Sequence, residues 1–218
     1  MTGAADLTLD ELRLHLAAAV ADAAVFDGWS EKAVESAALA KQVDPAVARL
    51  AFPGGAMDMV CAWIETVDRA MAEAFTVETL AAIKVRERIR MLVQFRLDAI
   101  AGRQEALKRA LAVMAMPQNL ARSLKAGWNS ADAMWRLAGD TATDYNHYTK
   151  RAILAGIYGA TLAVFADDSS ADKAETRAFL DRRIDGVMKF EKAKAQLLQP
   201  REGFSMTRFL GRLRYPAR

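Results

Sequence analysis

Two histidines, one cysteine and an adjacent pair of aspartates are the residues from which this chain would have to assemble a catalytic site. His15 and His147 are too few for the paired Glu-x-x-His of a di-iron bundle, and neither lies in the His-Glu-x-x-His of a zinc protease. Cys61 has no partner at ligand spacing, and a chain with one cysteine is expected in a reducing compartment, here read as the cytoplasm. Asp167 and Asp168 invite a general acid and base, but carboxylates beside Ser169 and Ser170 between two helices are the composition of a helix cap. The chain has no G-x-S-x-G, no phosphate-binding loop and no G-x-G-x-x-G. The expectation is a protein that is not an enzyme and holds neither metal nor cofactor.

Charge sorts the binding functions. Residues 1 to 60 carry nine acids and four bases, a balance of −5 against +3 for the whole chain, so the remainder sums to +8. The acidic part reads as a longer helix followed by two short ones. Gly28 breaks the first, Ser30 caps the second, and Asp44 with Pro45 opens the third before "FPGG". That is the outline of a helix-turn-helix and resembles the head of the TetR-type regulators. A recognition helix must neutralise phosphates and reach base edges, whereas "PAVARLAF" offers only Arg49. DNA binding is not expected, although a TetR-like ligand-responsive repressor stays as the rival reading.

Beyond Met57 all the periodicity is helical, over about 57–75, 77–101, 103–116, 118–136, 145–166 and 171–198, with breaks or kinks at Pro117 and Gly127. The fold class is therefore all-α: a helical bundle with a degenerate head (1–56), a domain of longer helices (57–199), and a hinge with an amphipathic helix (200–218). No apolar run reaches the roughly 18 residues of a membrane span, and the start lacks the pattern of a signal peptide. The basic run "KVRERIRMLVQFR" reads as the solvated face of a long helix, or else as a platform for anionic lipid or protein. Met91, Leu92, Phe95, Leu111, Met114, Met134, Trp135, Leu154 and Tyr158 are either core or the wall of a lipid pocket, a use to which a methionine-rich chain is suited. Near the end, Phe204, Met206, Phe209, Leu210 and Leu213 with Arg208 and Arg212 are expected to make a short basic amphipathic helix.

One polar stretch, "GDTATDYNHYTKRAILAG" at 139–156, is unusual in so apolar a chain. A Thr143 or Asp144 cap would start its helix, placing Tyr148 and Arg151 on the first exposed turns. Exposed aromatics beside an arginine are the composition of an interface hot spot, although the tyrosines could equally just cover the helix start. Gly156 and Gly159 permit close helix approach and suit a dimer seam.

The segment "WRLAGDTATDYNHYTKRAILAGIYGATLAVFADDSS", with "FDGW", "LAFPGG" and "KVRERIR", resembles the ubiquinone (coenzyme Q) biosynthesis accessory proteins that assist the demethoxyubiquinone hydroxylase, ninth of the COQ series, in their bacterial branch. The resemblance implies a TetR-like fold that does not bind DNA, a homodimer, a bound isoprenoid quinone or phospholipid, and a C-terminal membrane-contact helix. It places such a protein on the inner face of the cell membrane. It also implies a surface that docks the di-iron hydroxylase, assigned here to Asp144, His147, Tyr148 and Arg151. The family often carries Trp where this chain has His147.

Overall fold

The computed structural model describes residues 7–143 and 145–198, among which are ten α-helices and no strand. Asp144 and the amphipathic segment with Phe204, Met206, Arg208, Phe209, Leu210, Arg212 and Leu213 lie outside the described residues. The all-α class is as the periodicity indicates, and the bundle is consistent with the TetR type.

Capping chemistry sets the head. Helix α1 (Leu9–Asp27) begins with a capping box in which Thr8 accepts from the Glu11 N–H and Glu11 accepts from the Thr8 N–H at 2.9 Å. Its Leu12, Leu16 and Val20 are buried, and it stops at Gly28, whose φ of 68° suits a residue without Cβ. Ser30 caps α2 (Glu31–Ala40) and Asp44 caps α3 (Pro45–Leu50), the Ala46 N–H donating to Asp44 at 2.8 Å. The head shares its packing with the longer helices. Trp29 donates to the Ala106 carbonyl at 3.0 Å and lies against Trp63 with ring centroids 5.4 Å apart, while Arg13 pairs with Glu65 at 2.8 Å. The described residues up to Asp181 form one compact unit that includes the head and the helices that follow it.

Beyond the head run α4 (Ala56–Ala74), α5 (Val77–Leu80), α6 (Val85–Ala99), α7 (Gln104–Met114), α8 (Leu120–Leu137), α9 (Tyr145–Asp167) and α10 (Ala174–Leu198). The continuous helix expected over 77–101 is divided. Thr76 and Thr79 close a reciprocal capping box around α5, and Arg88 then clamps the following turn. Its guanidinium donates to the carbonyls of Ala81 (2.7 Å), Ile83 (2.6 Å) and Ala138 (2.7 Å). One member of the basic run thus staples α6 to the end of α8. Gly127, expected as a break or kink, lies within the unbroken α8.

Asp168 is a cap, as its neighbours suggest. Its carboxylate accepts from the Ser170 N–H (2.8 Å) and hydroxyl (2.5 Å) and from the Thr176 N–H (2.9 Å) and hydroxyl (2.6 Å). Burial pushes this carboxyl up, but the four donors outweigh it and hold it far below the usual carboxylate range.

Candidate functional site: an apolar cavity and the aromatic surface beside it

A cavity of about 500 Å³ opens among α4, α6, α7, α8 and α9, within the range of small-molecule sites. Helix α4 contributes Val60, Trp63, Ile64 and Val67, and α7 contributes Leu107, Ala110, Leu111 and Met114. The space itself comes from small residues: Gly127 on α8, and Ala152, Ala155, Gly156 and Gly159 on α9. A Cβ added at Gly127, Gly156 or Gly159 would meet no atom within 4 Å. Trp128 and the exposed Leu124 complete the α8 wall, and Leu120, one turn before Leu124, is also exposed.

Among the described residues, Arg96 is the only charged one lining this cavity. It is 1% exposed, and its Nη1 donates to Asp68 while its Nη2 donates to the Ser130 hydroxyl at 3.0 Å. The Ser130 hydroxyl in turn donates to the second Asp68 oxygen at 3.2 Å. The Arg96 Cζ lies 4.8 Å from the centroid of the Tyr158 ring, another wall residue. Burial works against the guanidinium charge, but Tyr158 and Asp68 outweigh it and keep Arg96 protonated. Burial also pushes the Asp68 carboxyl up, against the pull of Arg96 and Ser130.

Of the nine residues named as a possible lipid wall, Leu111, Met114 and Tyr158 line the cavity. Leu92, Met134 and Leu154 are buried in the core. Met91 and Phe95 line a separate groove of about 270 Å³ with Phe75. Trp135 donates to the Lys150 carbonyl at 3.0 Å. Sequence reasoning favoured large apolar residues and so missed the glycines and alanines that make the hole, along with Trp63, Arg96 and Trp128. Cys61 is half-buried on α4, and burial pushes its thiol up, away from reactive thiolate.

The polar stretch lies beside the cavity. Trp128 stands between the two, its ring 6.0 Å from that of Tyr148 and 6.4 Å from that of His147; those two rings are 5.1 Å apart. His147 is tied through Nδ1 to the Ala142 carbonyl at 2.9 Å, whereas Tyr145 and Tyr148 are 77% and 61% exposed. Arg151 differs from expectation: it is buried, at 2% exposure. Its Nε donates to Asp132 at 2.5 Å, and its Nη1 donates to Asp140 at 3.0 Å and to the His147 carbonyl at 3.1 Å. The two acids lie on α8 and in the connection after it, so helix spacing alone could not place them. Lys150 also donates to Asp140 at 2.6 Å. Burial raises the Asp140 carboxyl, but Lys150 and Arg151 outweigh it and hold it below its ordinary range. Among the described residues no group of three or more His, Cys, Asp or Glu could hold a metal, and no helix is long and apolar enough to cross a membrane.

Fold and cavity together define an all-α bundle with an apolar chamber, consistent with the TetR type. The family model COQ9 matches residues 120–191, which hold α8, the polar stretch and α9. The chain is similar to "Ubiquinone biosynthesis protein COQ9, mitochondrial" of Rattus norvegicus, 32% identical over 168 residues, 74% of this chain and 54% of that protein. It is likewise similar to the protein of that name from Homo sapiens, 30% identical over 168 residues, 74% and 52% of the two chains. "Probable ubiquinone biosynthesis protein coq9, mitochondrial" of Dictyostelium discoideum is 23% identical over 193 residues, 86% and 62% of the two chains. These matches support the COQ9 family. The chain spans about half the length of the first two of these relatives.

Proposed function

We propose that this chain is an accessory protein of ubiquinone biosynthesis that binds an isoprenoid quinone intermediate in the cavity and presents it to the demethoxyubiquinone hydroxylase at a membrane. The observation that carries the reading is the chamber: about 500 Å³, walled by apolar and small side chains from five helices. Apolar ligands leave water for such a space at a gain of roughly 25 cal/mol per Å² of surface buried. The exposed Leu120 and Leu124, with the cations Arg122 and Lys125 on the same helix, suit a rim that meets lipid. Tyr148, exposed and backed by Trp128, suits the docking of the hydroxylase. The chemistry belongs to that partner, and the accessory protein acts as a homodimer on the inner face of the cell membrane.

The repressor reading has less support. Arg49, the cation of the third helix, pairs with Glu35 at 3.3 Å within an acidic head. Two measurements test the proposal. Solvent extraction of the purified protein followed by mass spectrometry should recover a prenylated quinone precursor. Truncation after Gln199 should abolish co-sedimentation with anionic liposomes while leaving the fold intact. A protein that carries no lipid and takes up none from vesicles would refute the binding half. Equal sedimentation of the truncated and full-length forms would place the membrane contact elsewhere.

A further inference from the structure

The wall of the chamber is held unevenly. From Leu111 to Asn129, all among the described residues, none is buried. This stretch is a hairpin made of the end of α7, a single turn of tighter helix at Pro117–Asn119 and the first half of α8. Its Leu111, Met114, Ser123, Leu124 and Trp128 nevertheless line the chamber. Just beyond it α8 enters the core, with Ser130, Ala131 and Met134 buried. Gly127, the poorest helix former short of proline, stands close to that boundary. Few buried side chains mark a segment that opens at low cost.

The two arms of the hairpin are tied to each other. Ser123 donates to the Met114 carbonyl at 2.8 Å, and Asn119 donates to the Val113 carbonyl at 2.8 Å. Arg122 fastens the hairpin to α4, its Nη2 donating to Asp58. The other Asp58 oxygen accepts from the Gly54 N–H, so the carboxylate keeps a partner when Arg122 leaves. The Arg122 side chain is 46% exposed and open to a competing anion. Around it the hairpin exposes Met116, Leu120, Leu124 and Lys125.

We infer that this hairpin is a flap over the chamber, latched by the Arg122–Asp58 pair and released when an anionic membrane surface takes the guanidinium from Asp58. The inference rests on the lipid-binding reading above and adds to it how the chamber opens. In water Asp58 keeps the hairpin shut. At a membrane, anionic headgroups receive Arg122 and Lys125 while Met116, Leu120 and Leu124 enter the apolar layer. The hairpin then swings about Gly127 and the chamber faces lipid. A partly exposed ion pair suits this use, being strong enough to bias the closed form and weak enough to be exchanged.

The test follows phenylnaphthylamine, an apolar dye that brightens out of water, as it enters and leaves the full chain freed of lipid. Asp58→Asn keeps an acceptor for the Gly54 N–H but removes the charge that holds Arg122. It should raise the entry and exit rates together by about threefold, the scale of a partly exposed ion pair, and leave the Kd unchanged. Hydrogen exchange should quicken over residues 111–127 and stay as in wild type over 130–137. At saturating lipid, dye should pass from wild-type protein to phosphatidylglycerol vesicles faster than to phosphatidylcholine vesicles, and Arg122→Gln should remove that preference. Wild-type rates in Asp58→Asn, or a preference kept by Arg122→Gln, overturn the inference and leave the lipid-binding reading standing. A weaker Kd in Asp58→Asn, or faster exchange over 130–137 as well, shows a loosened core and overturns it too. Failure of wild-type protein to bind the dye overturns the lipid-binding reading, and the inference falls with it.

Discussion

Leucines placed at Gly156 and Gly159 would oppose stability and ligand binding to each other. Both glycines lie inside α9, and a Cβ at either meets no atom within 4 Å. Within a helix each glycine costs close to 1 kcal/mol against a good helix former, so each exchange gains roughly 0.7 kcal/mol from backbone entropy alone. The pair gains roughly 1.4 kcal/mol, which raises Tm by roughly 3–5 °C for a chain of this size. The new side chains also occupy the chamber and displace whatever it holds. Differential scanning calorimetry and quantitative lipid extraction on the same preparations check both halves, with sedimentation velocity to report any change in association state. The expected double variant melts higher and carries less than a tenth of the wild-type lipid. Undiminished lipid with a raised Tm would show that the ligand lies elsewhere. A lowered Tm would show that the space beside α9 is not open.

Tyr148→Ala should cost on the order of 2 kcal/mol of hydroxylase binding with an almost unchanged Tm; a pull-down at wild-type level would remove Tyr148 from the docking surface. Arg151→Ala should instead destabilise the fold by about 2 kcal/mol, because it removes the buried cation shared by Asp140 and Asp132 and leaves them only the more exposed Lys150 and Arg136; denaturant titration giving less than about 1 kcal/mol would refute the buried pairing. Asp168→Ala should cost about 1–2 kcal/mol at neutral pH as a lost cap. Because the folded carboxyl is depressed, that contribution is complete above the unfolded value near pH 4 and is lost as pH falls through the folded value. The gap between wild type and Asp168→Ala should therefore narrow in urea titrations below about pH 4, and a constant gap down to pH 2 would exclude the depressed carboxyl. At about 100 mM salt the protein should give no saturable gel shift with its own upstream DNA, and a submicromolar shift removed by Arg49→Ala would revive the repressor.

Local chemistry made much of the fold legible. Ser30, the Asp44–Pro45 pair and the Asp168–Ser170 connector announce their caps because a cap needs only neighbours within a few residues. The division between α5 and α6 was hidden for the opposite reason: Arg88 is held partly by Ala138, fifty residues away. Arg151 misled in the same manner, since its acids are 11 and 19 residues distant and helix spacing cannot summon them. The cavity was half visible. Large apolar residues advertise burial, but a void is made where side chains are missing, and the pattern at Gly127, Ala152, Gly156 and Gly159 reads just as well as tight helix packing.

Trp128 belongs to two places at once, the wall of the chamber and the backing of Tyr148. A ligand whose binding free energy depends on how that indole sits must feel a partner resting on Tyr148, and the partner must feel the ligand by the same factor, since linkage between binding equilibria is symmetrical. If a full chamber favours the docked state, an empty one favours release by an equal free energy, and cargo and partner regulate each other through one shared ring.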